Sequence, residues 1–242
     1  MKTVAVIEAR MNSSRFPGKV LKPILEQPVL TYMVERVKQA SAIDLIVIAT
    51  TLNDVDDPIV KLSKQMKVEC YRGSELDVLG RVYEASMQFD ATSILSLTGD
   101  CPLVDPWVIS TVLSLYKHNM VDLVSNAHLR SYPVGMDAEA ISIDALKIAH
   151  SQATDSLQRE HTSLFIRQNP TLFKTIHLYA HERDYKPHLG LTLDEYDDLQ
   201  LISIVARHFY PRMDYTCSEI ISFVEKSGLD SINRHIVRKG DT

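Results

Sequence analysis

Hydrophobic positions along the chain follow two alternating patterns. Short apolar runs predict strands at Val4 to Ile7, Ile43 to Thr50, Val68 to Arg72 and Ser93 to Thr98. Between them, apolar residues recur at helical spacing: Val29, Leu30, Met33, Val34 and Val37 mark one face. Further helices are predicted from about Asp56 with Pro58 in the first turn, over Asp77 to Phe89, and from Pro106 to Lys117. This βαβ alternation predicts an α/β fold with a mostly parallel sheet. The second half is more mixed. Asp122 to Asn126, Met136 to Ile141, Leu172 to Ala180 and His188 to Leu193 read as extended. Ser142 to Ala153, Gln158 to Gln168, Glu195 to His208 and Ser218 to Ser227 read as helical.

No repeat, low-complexity tract or linker interrupts the pattern, so residues 1–242 are read as one domain. The stretch from about Ala127 to Asp184 is the candidate for a lid or dimerisation lobe. A length of 242 residues is enough for a full core. Net charge is −5, which gives no general attraction to nucleic acid or an anionic membrane. No run approaches the ~20 apolar residues of a membrane span, and the amino terminus lacks a secretory pattern. Cys70, Cys101 and Cys217 are too scattered for a disulfide framework or a zinc site, and a reduced, cytoplasmic setting is expected.

Against this mildly acidic background, three cations gather in Ala9-Arg10-Met11-Asn12-Ser13-Ser14-Arg15-Phe16-Pro17-Gly18-Lys19, directly after the first predicted strand. Such sheets bind phosphates in loops at that end of the strand. Arginine forks, a lysine point charge and backbone N–H groups together suit a polyphosphate. Neither a Walker A sequence nor G-x-G-x-x-G is present. Two acidic signals follow. Asp100 sits in Leu97-Thr98-Gly99-Asp100-Cys101-Pro102-Leu103, at the end of a predicted strand, where turn capping competes with a reacting role. Asp194 opens Leu193-Asp194-Glu195-Tyr196-Asp197-Asp198-Leu199, where the helix dipole alone accounts for acidic residues; Asp197 and Asp198 read as caps or packing partners.

ARMNSSRFPGK resembles the R-x-x-S-x-R-x-P-G-K signature of cytidylyltransferases that activate acidic sugars. The branch is the family of spore-coat polysaccharide biosynthesis protein F, related to CMP-Kdo and CMP-sialate synthetases. TGDCPL and the later LDEYDDL resemble that family's T-G-D-C-P-L and V-D-T-P-E-D-L elements. The resemblance spans residues 4 to about 200. It implies a three-layer, mostly parallel sheet like that of nucleotide-diphospho-sugar transferases (GT-A or Rossmann-like). It implies transfer of CMP from CTP to an acidic sugar, nonulosonate or Kdo-like, with pyrophosphate release, in surface polysaccharide or glycan biosynthesis. A homodimer is implied as well.

By the same resemblance, Arg10, Lys19, Asp100 and Asp194 are the catalytic set, with Mg²⁺ held by Asp100 and Asp194. Ala9 to Arg15, Lys19 and Thr98 meet the nucleotide. In RGSELDVLGR, Arg72 and Asp77 are expected near it too, with Arg81 structural. Asn126, Arg130, Tyr132, Asp137, Glu139, Arg159, Glu160 and His161 match segments expected to shape the sugar end. The chain departs from its relatives at four positions: Glu8 stands for a common Gln, Asn12 for a Gly, and Ser96 and Val134 where Arg is frequent. Two alternatives remain: a glycosyltransferase of the same fold using a sugar nucleotide, and a non-catalytic nucleotide-binding subunit. The first commonly needs D-x-D, which Gly99-Asp100-Cys101 lacks.

Overall fold

A computed structural model describes residues 2–238. In chain order, β1 (Thr3–Glu8) leads through a loop to a small antiparallel ribbon of β2 (Pro23–Ile24) and β3 (Gln27–Pro28), then to α1 (Val29–Val37). There follow β4 (Leu45–Thr51), α2 (Asp57–Met66), β5 (Glu69–Gly73), α3 (Val78–Gln88), β6 (Ser93–Thr98) and α4 (Pro106–His118). The second half holds β7 (Leu123–Ser125), β8 (Glu139–Ser142), α5 (Ile143–Gln152), α6 (Ser156–Glu160), α7 (Leu164–Gln168), β9 (Thr175–His177), α8 (Tyr196–Phe209) and α9 (Cys217–Lys226).

Seven strands form one sheet in the order β5-β4-β1-β6-β8-β7-β9. β1 pairs in parallel with both β4 and β6, while β8 runs antiparallel to β6 and β7. Side chains alternate faces along a strand. Ala5 and Ile7 therefore join Ile48, Leu95 and Leu97 under α1, α2 and α4, while Val4, Val6, Val47 and Ile94 pack on the opposite face against α3 and α5. Burial on both faces explains why these strands read as continuous apolar runs. A third cluster joins α8 and α9 to Ile24 and Tyr32.

Arg36 of α1 is fully buried and bonds four carbonyls, those of Leu103, Val104, Met213 and Tyr215, with its guanidinium 3.6 Å from the Tyr215 ring centre. It ties α1 to the loop after β6 and to the chain before α9. The sheet's neighbour order reverses at β1, with β4 on one side and β6 on the other. The carboxyl ends of β1 and β6 therefore open a crevice at a topological switch point.

Three expectations are corrected. The single helix expected over Gln158 to Gln168 is two short helices, α6 and α7, broken where His161 is extended (φ −121°, ψ 113°). The break turns Thr162 inward, and its hydroxyl donates to Glu8 at 2.8 Å. His188 to Leu193 forms no strand, only one bridge between Val134 and Gly190. Finally, β2 and β3 were not expected. Leu25 and Glu26 turn that ribbon at positive φ (49° and 66°), the backbone of a two-residue hairpin.

Candidate active site

The loop after β1 closes on itself. Met11 O accepts from the N–H groups of Ser13 and Gly18, both at 2.9 Å. Gly18 takes φ +70°, the left-handed region that glycine enters without penalty. The turn delivers Lys19 to the start of a short 3₁₀ segment, Lys19–Leu21, with its ammonium directed at the switch point. Across the crevice, Gly99 N donates to Glu8 O at 2.8 Å. A Cβ on Gly99 would lie 2.7 Å from that oxygen, so glycine permits the approach that sets Asp100 beside β1.

Asp100 and Asp194 are far apart in the chain but share one cation. Lys19 Nζ lies 2.7 Å from Asp100 Oδ2 and 3.1 Å from Asp194 Oδ1. Arg15 reaches Asp194 Oδ1 at 2.8 Å. The two acidic loops are also joined by backbone: Leu193 N donates to Asp100 O at 2.7 Å. Asp198 closes the arrangement from behind. Fully buried, it accepts from the N–H groups of Asp194 and Glu195, both at 2.9 Å, as part of the capping box of α8.

Burial works against charge on Asp100, yet the ion pair and hydrogen bond from Lys19 hold its carboxyl below the usual range. Burial likewise opposes charge on Lys19, and Asp100 with Asp194 raise its pKa regardless. Lys19 and Asp100 thus form an ionised, mutually satisfied pair, with Asp194 as the ammonium's second partner.

Two adjoining cavities open here. The first, of about 350 Å³, is lined by Ala9, Arg10, Ser13, Ser14, Arg15 and Lys19 on one wall and Asp100, Asp194 and Arg238 on the other. The second, of about 510 Å³, is lined by Ser96, His128, Glu139, Thr162 and Arg167. Glu8, Thr98, Arg130, Val134, Asp137, Glu160 and His161 line both. Arg130 pairs with Asp137 at 2.5 Å, and Glu139 accepts from the Ser125 hydroxyl at 2.8 Å. Glu8 is a half-buried carboxyl driven up to about 7 chiefly by desolvation, with Arg81 and the Thr162 hydroxyl pulling it down and Asp100 and Glu139 pushing it up.

Several expected residues stand outside both cavities. Arg72 is spent on Asp57 and on the carbonyls of Thr51 and Asn53. Asp77 caps α3 through Gly80 N and pairs with Arg159, which also donates to His150 O. Asn126 clamps Met136 O and Ala138 N within the core, and Tyr132 is buried in the third cluster. Met11 N is held by Asp56 and the Asn12 amide meets Glu75, and neither residue lines either cavity. Sequence reading did not single out Glu8, Thr162, Arg167 or Arg238 as site residues. An acidic residue closing an otherwise apolar strand was the available signal for Glu8.

The metal expectation passes a chemical test. Two carboxylate oxygens within 3.1 Å of one ammonium define a space that a cation fills, and Mg²⁺ needs only one or two carboxylates beside water and phosphate. Among the described residues no group of three or more His, Cys, Asp or Glu gathers for a metal, so phosphate and water would complete the shell.

Cations ranged where a polyphosphate would lie, at the reversal of a three-layer α/β sheet, define a nucleotidyltransferase. The chain belongs to the cytidylyltransferase family, whose model matches residues 4–231, and is a CTP-dependent nucleotidyltransferase of that family. It is 31% identical to the spore coat polysaccharide biosynthesis protein SpsF of Bacillus subtilis, over 92% of this chain and 93% of that protein. It is 28% identical to a 3-deoxy-manno-octulosonate cytidylyltransferase of Solibacter usitatus, over 76% of this chain and 73% of the relative. A cytidylyltransferase structure from Leptospira borgpetersenii superposes with a TM-score of 0.91 at 28% identity, covering 99% of both chains.

Proposed function

We propose that this protein transfers CMP from CTP to a hydroxyl of an acidic sugar, nonulosonate or Kdo-like, in the assembly of a surface polysaccharide or other glycan. The bond formed is between the sugar oxygen and the α-phosphorus; the bond broken is between that phosphorus and the bridging oxygen to the β-phosphate. Pyrophosphate leaves and the hydroxyl proton is lost. The observation that carries this reading is the Lys19 ammonium held between Asp100 and Asp194 at the switch point.

On this reading the chain's cations exchange partners. Lys19 and Arg15 pass from carboxylates to phosphate oxygens, and Arg10, now loosely paired with Glu75 at 3.4 Å, joins them. A pair of like unit charges 4 Å apart costs about 4 kcal/mol at an effective dielectric near 20. Neutralising the triphosphate removes that barrier to an acidic acceptor and stabilises the leaving group. Asp100 and Asp194 would hold Mg²⁺, which supplies further charge neutralisation at the phosphates when bound. The second cavity, continuous with the first through Thr98 and Asp137, is the place for the acceptor, with Arg130 available to its carboxylate.

Pyrophosphate release with Mg²⁺, each of CTP, UTP, ATP and GTP, and a pool of acidic sugars tests the proposal. CTP-selective release that Asp100→Ala lowers by about 10²–10³-fold is expected. CTP binding without release for any acidic sugar would overturn the acceptor class, and release unaffected by Asp100→Ala would overturn the metal assignment.

A further inference from the structure

The far end of the described chain returns to the nucleotide cavity. After α9 and a 3₁₀ turn at Leu229–Ser231, residues 232–238 run back across the loop that carries Asp194. Asn233 Nδ2 donates to Gly190 O at 2.9 Å and to Asp198 Oδ1 at 2.7 Å. Ile236 is buried, and Arg15 Nη1 donates to Val237 O at 3.4 Å. Arg238 is 5% exposed, and its Nη2 donates to Asp198 Oδ1 at 2.8 Å. Gly190 leaves room for that guanidinium: a Cβ there would lie 1.8 Å from Arg238 Nη2.

Asp198 thus takes two backbone N–H groups on one oxygen and two side-chain donors on the other. The two side-chain donors differ in one respect. Arg238 also faces the cavity, with Nη1 3.7 Å from Asp194 Oδ2, whereas Asn233 does not line it.

We propose that Arg238 is a positioning residue for Asp194. Anchored on Asp198, its guanidinium sets a charge 3.7 Å from one oxygen of the Asp194 carboxylate, at ion-pair distance, while the other oxygen is turned toward Lys19 and Arg15, into the cavity. The segment that supplies it lies beyond residue 231, where the family match ends. The inference rests on the reading of Asp100 and Asp194 as metal ligands. Partners that orient ligating carboxylates set metal affinity, and their loss typically weakens it about 10–100-fold. Lysine cannot reproduce the role, because a single ammonium lacks the fork that spans two carboxylates.

The test is titration of the whole protein with Mn²⁺, with and without CTP, following the electron paramagnetic resonance signal of free Mn²⁺. In Arg238→Lys the CTP-dependent Mn²⁺ dissociation constant is expected to rise about tenfold. In Asn233→Ala it is expected to stay at the wild-type value, although the thermal midpoint falls in both. Should Arg238→Lys not fold, Gly190→Ala, which displaces the guanidinium from its seat, is expected to give the same rise. Wild-type Mn²⁺ binding in Arg238→Lys or Gly190→Ala overturns the proposal. So does an equal rise in Asn233→Ala, which would reduce Arg238 to part of a structural clasp. A wild-type protein that binds CTP but shows no CTP-dependent Mn²⁺ uptake refutes the metal site itself and the inference with it.

Discussion

The two adjoining cavities solve different physical problems. In the first, one loop between Ala9 and Lys19 supplies the cations: Lys19 and Arg15 are already satisfied by Asp100 and Asp194 at 2.7–3.1 Å, and Arg10 pairs with Glu75 at 3.4 Å. A polyphosphate can take over those pairs without any cation being left bare. The second cavity is assembled from scattered pieces: the end of β1, the carboxyl end of β6, residues 127–139 and residues 160–167. Its carboxylates, Glu8, Asp137, Glu139 and Glu160, outnumber its arginines, Arg130 and Arg167. Ser96 and Val134 also line it and add no charge. On the proposed function, the first cavity would work by charge exchange, and an acceptor carboxylate entering the second would have Arg130 and Arg167 to meet it.

The largest effect should come from the seam between the cavities. Gly135 has φ +105°, and a Cβ there would lie 2.6 Å from Leu191 C and 2.7 Å from Thr192 N, on the backbone leading to Asp194. Backbone cannot yield as a side-chain tip can. Gly135→Ala should cost roughly 2–6 kcal/mol of stability from strain and overpacking together. Thermal unfolding measures the cost; CTP titration and acceptor KM should both worsen. Loss of only one would show that the cavities are mechanically independent.

Lys19→Ala sharpens the contrast instead. It strips the shared cation from Asp100 and Asp194, and the Asp100 carboxyl, no longer held down against burial, rises. We expect kcat/KM for CTP to fall about 10²–10³-fold. Acceptor KM should be unchanged, since Lys19 does not line the second cavity. Steady-state kinetics with each substrate varied in turn separates the two.

The same contrast explains what was legible in the sequence. The central strands announced themselves because burial on both faces forces continuous apolar runs, as in Val4 to Ile7. The nucleotide loop was legible because its residues are consecutive and its cations stand out after such a strand. Asp194 was recoverable only through family likeness, since an acid at a helix start has a sufficient local explanation in Asp198's cap. The second cavity was legible in part: Arg130, Asp137, Glu139, Glu160 and His161 line it, whereas Asn126 and Arg159, and Arg72 from the expected nucleotide set, are engaged elsewhere by partners (Met136 O, Asp77, Asp57) at separations no local pattern reveals. The helix expected over Gln158 to Gln168 failed for a related reason: a tertiary bond from Thr162 to Glu8 outweighs local propensity. Arg238 offered no signal at all, being one of several charges in a stretch without a motif.

Glu8 is where the second cavity's character becomes a pH dependence. Burial, opposed by Arg81 and Thr162, lifts its carboxyl from 4.5 to about 7. A folded-state pKa above the unfolded one means the folded protein keeps a proton the unfolded chain has released. The resulting stability is fully present below pH 4.5 and is lost as pH rises to about 7. At 1.36 kcal/mol per unit, the window is worth about 3 kcal/mol. Gln keeps the shape and the acceptor for Thr162 without a charge. Glu8→Gln should therefore be more stable than wild type at pH 8 and alike at pH 4.5, by urea denaturation. Equal pH slopes in the two proteins would mean that Glu8 is solvated rather than buried.

The smallest effect on the fold, and the most specific on the acceptor, should come from Arg130. Its pair with Asp137 is part-exposed on both sides, and such pairs contribute about 0–1 kcal/mol, so Arg130→Gln should barely move the thermal midpoint. Function is another matter. Burial already lifts the Asp137 carboxyl, with Arg130 the main force holding it down, and Glu139 and Asp100 push it further up. Removing the guanidinium lets Asp137 rise toward protonation and takes away one of two arginines that can face an anionic acceptor. Acceptor KM should increase about tenfold, the ~1.4 kcal/mol expected of one charge-assisted hydrogen bond. CTP KM should hold, because the cations of the β1 loop remain in place. A rise in CTP KM of the same size would put Arg130 with the phosphates instead, and would make the wall shared through Thr98, Arg130 and Asp137 part of the nucleotide site rather than the boundary of the acceptor's.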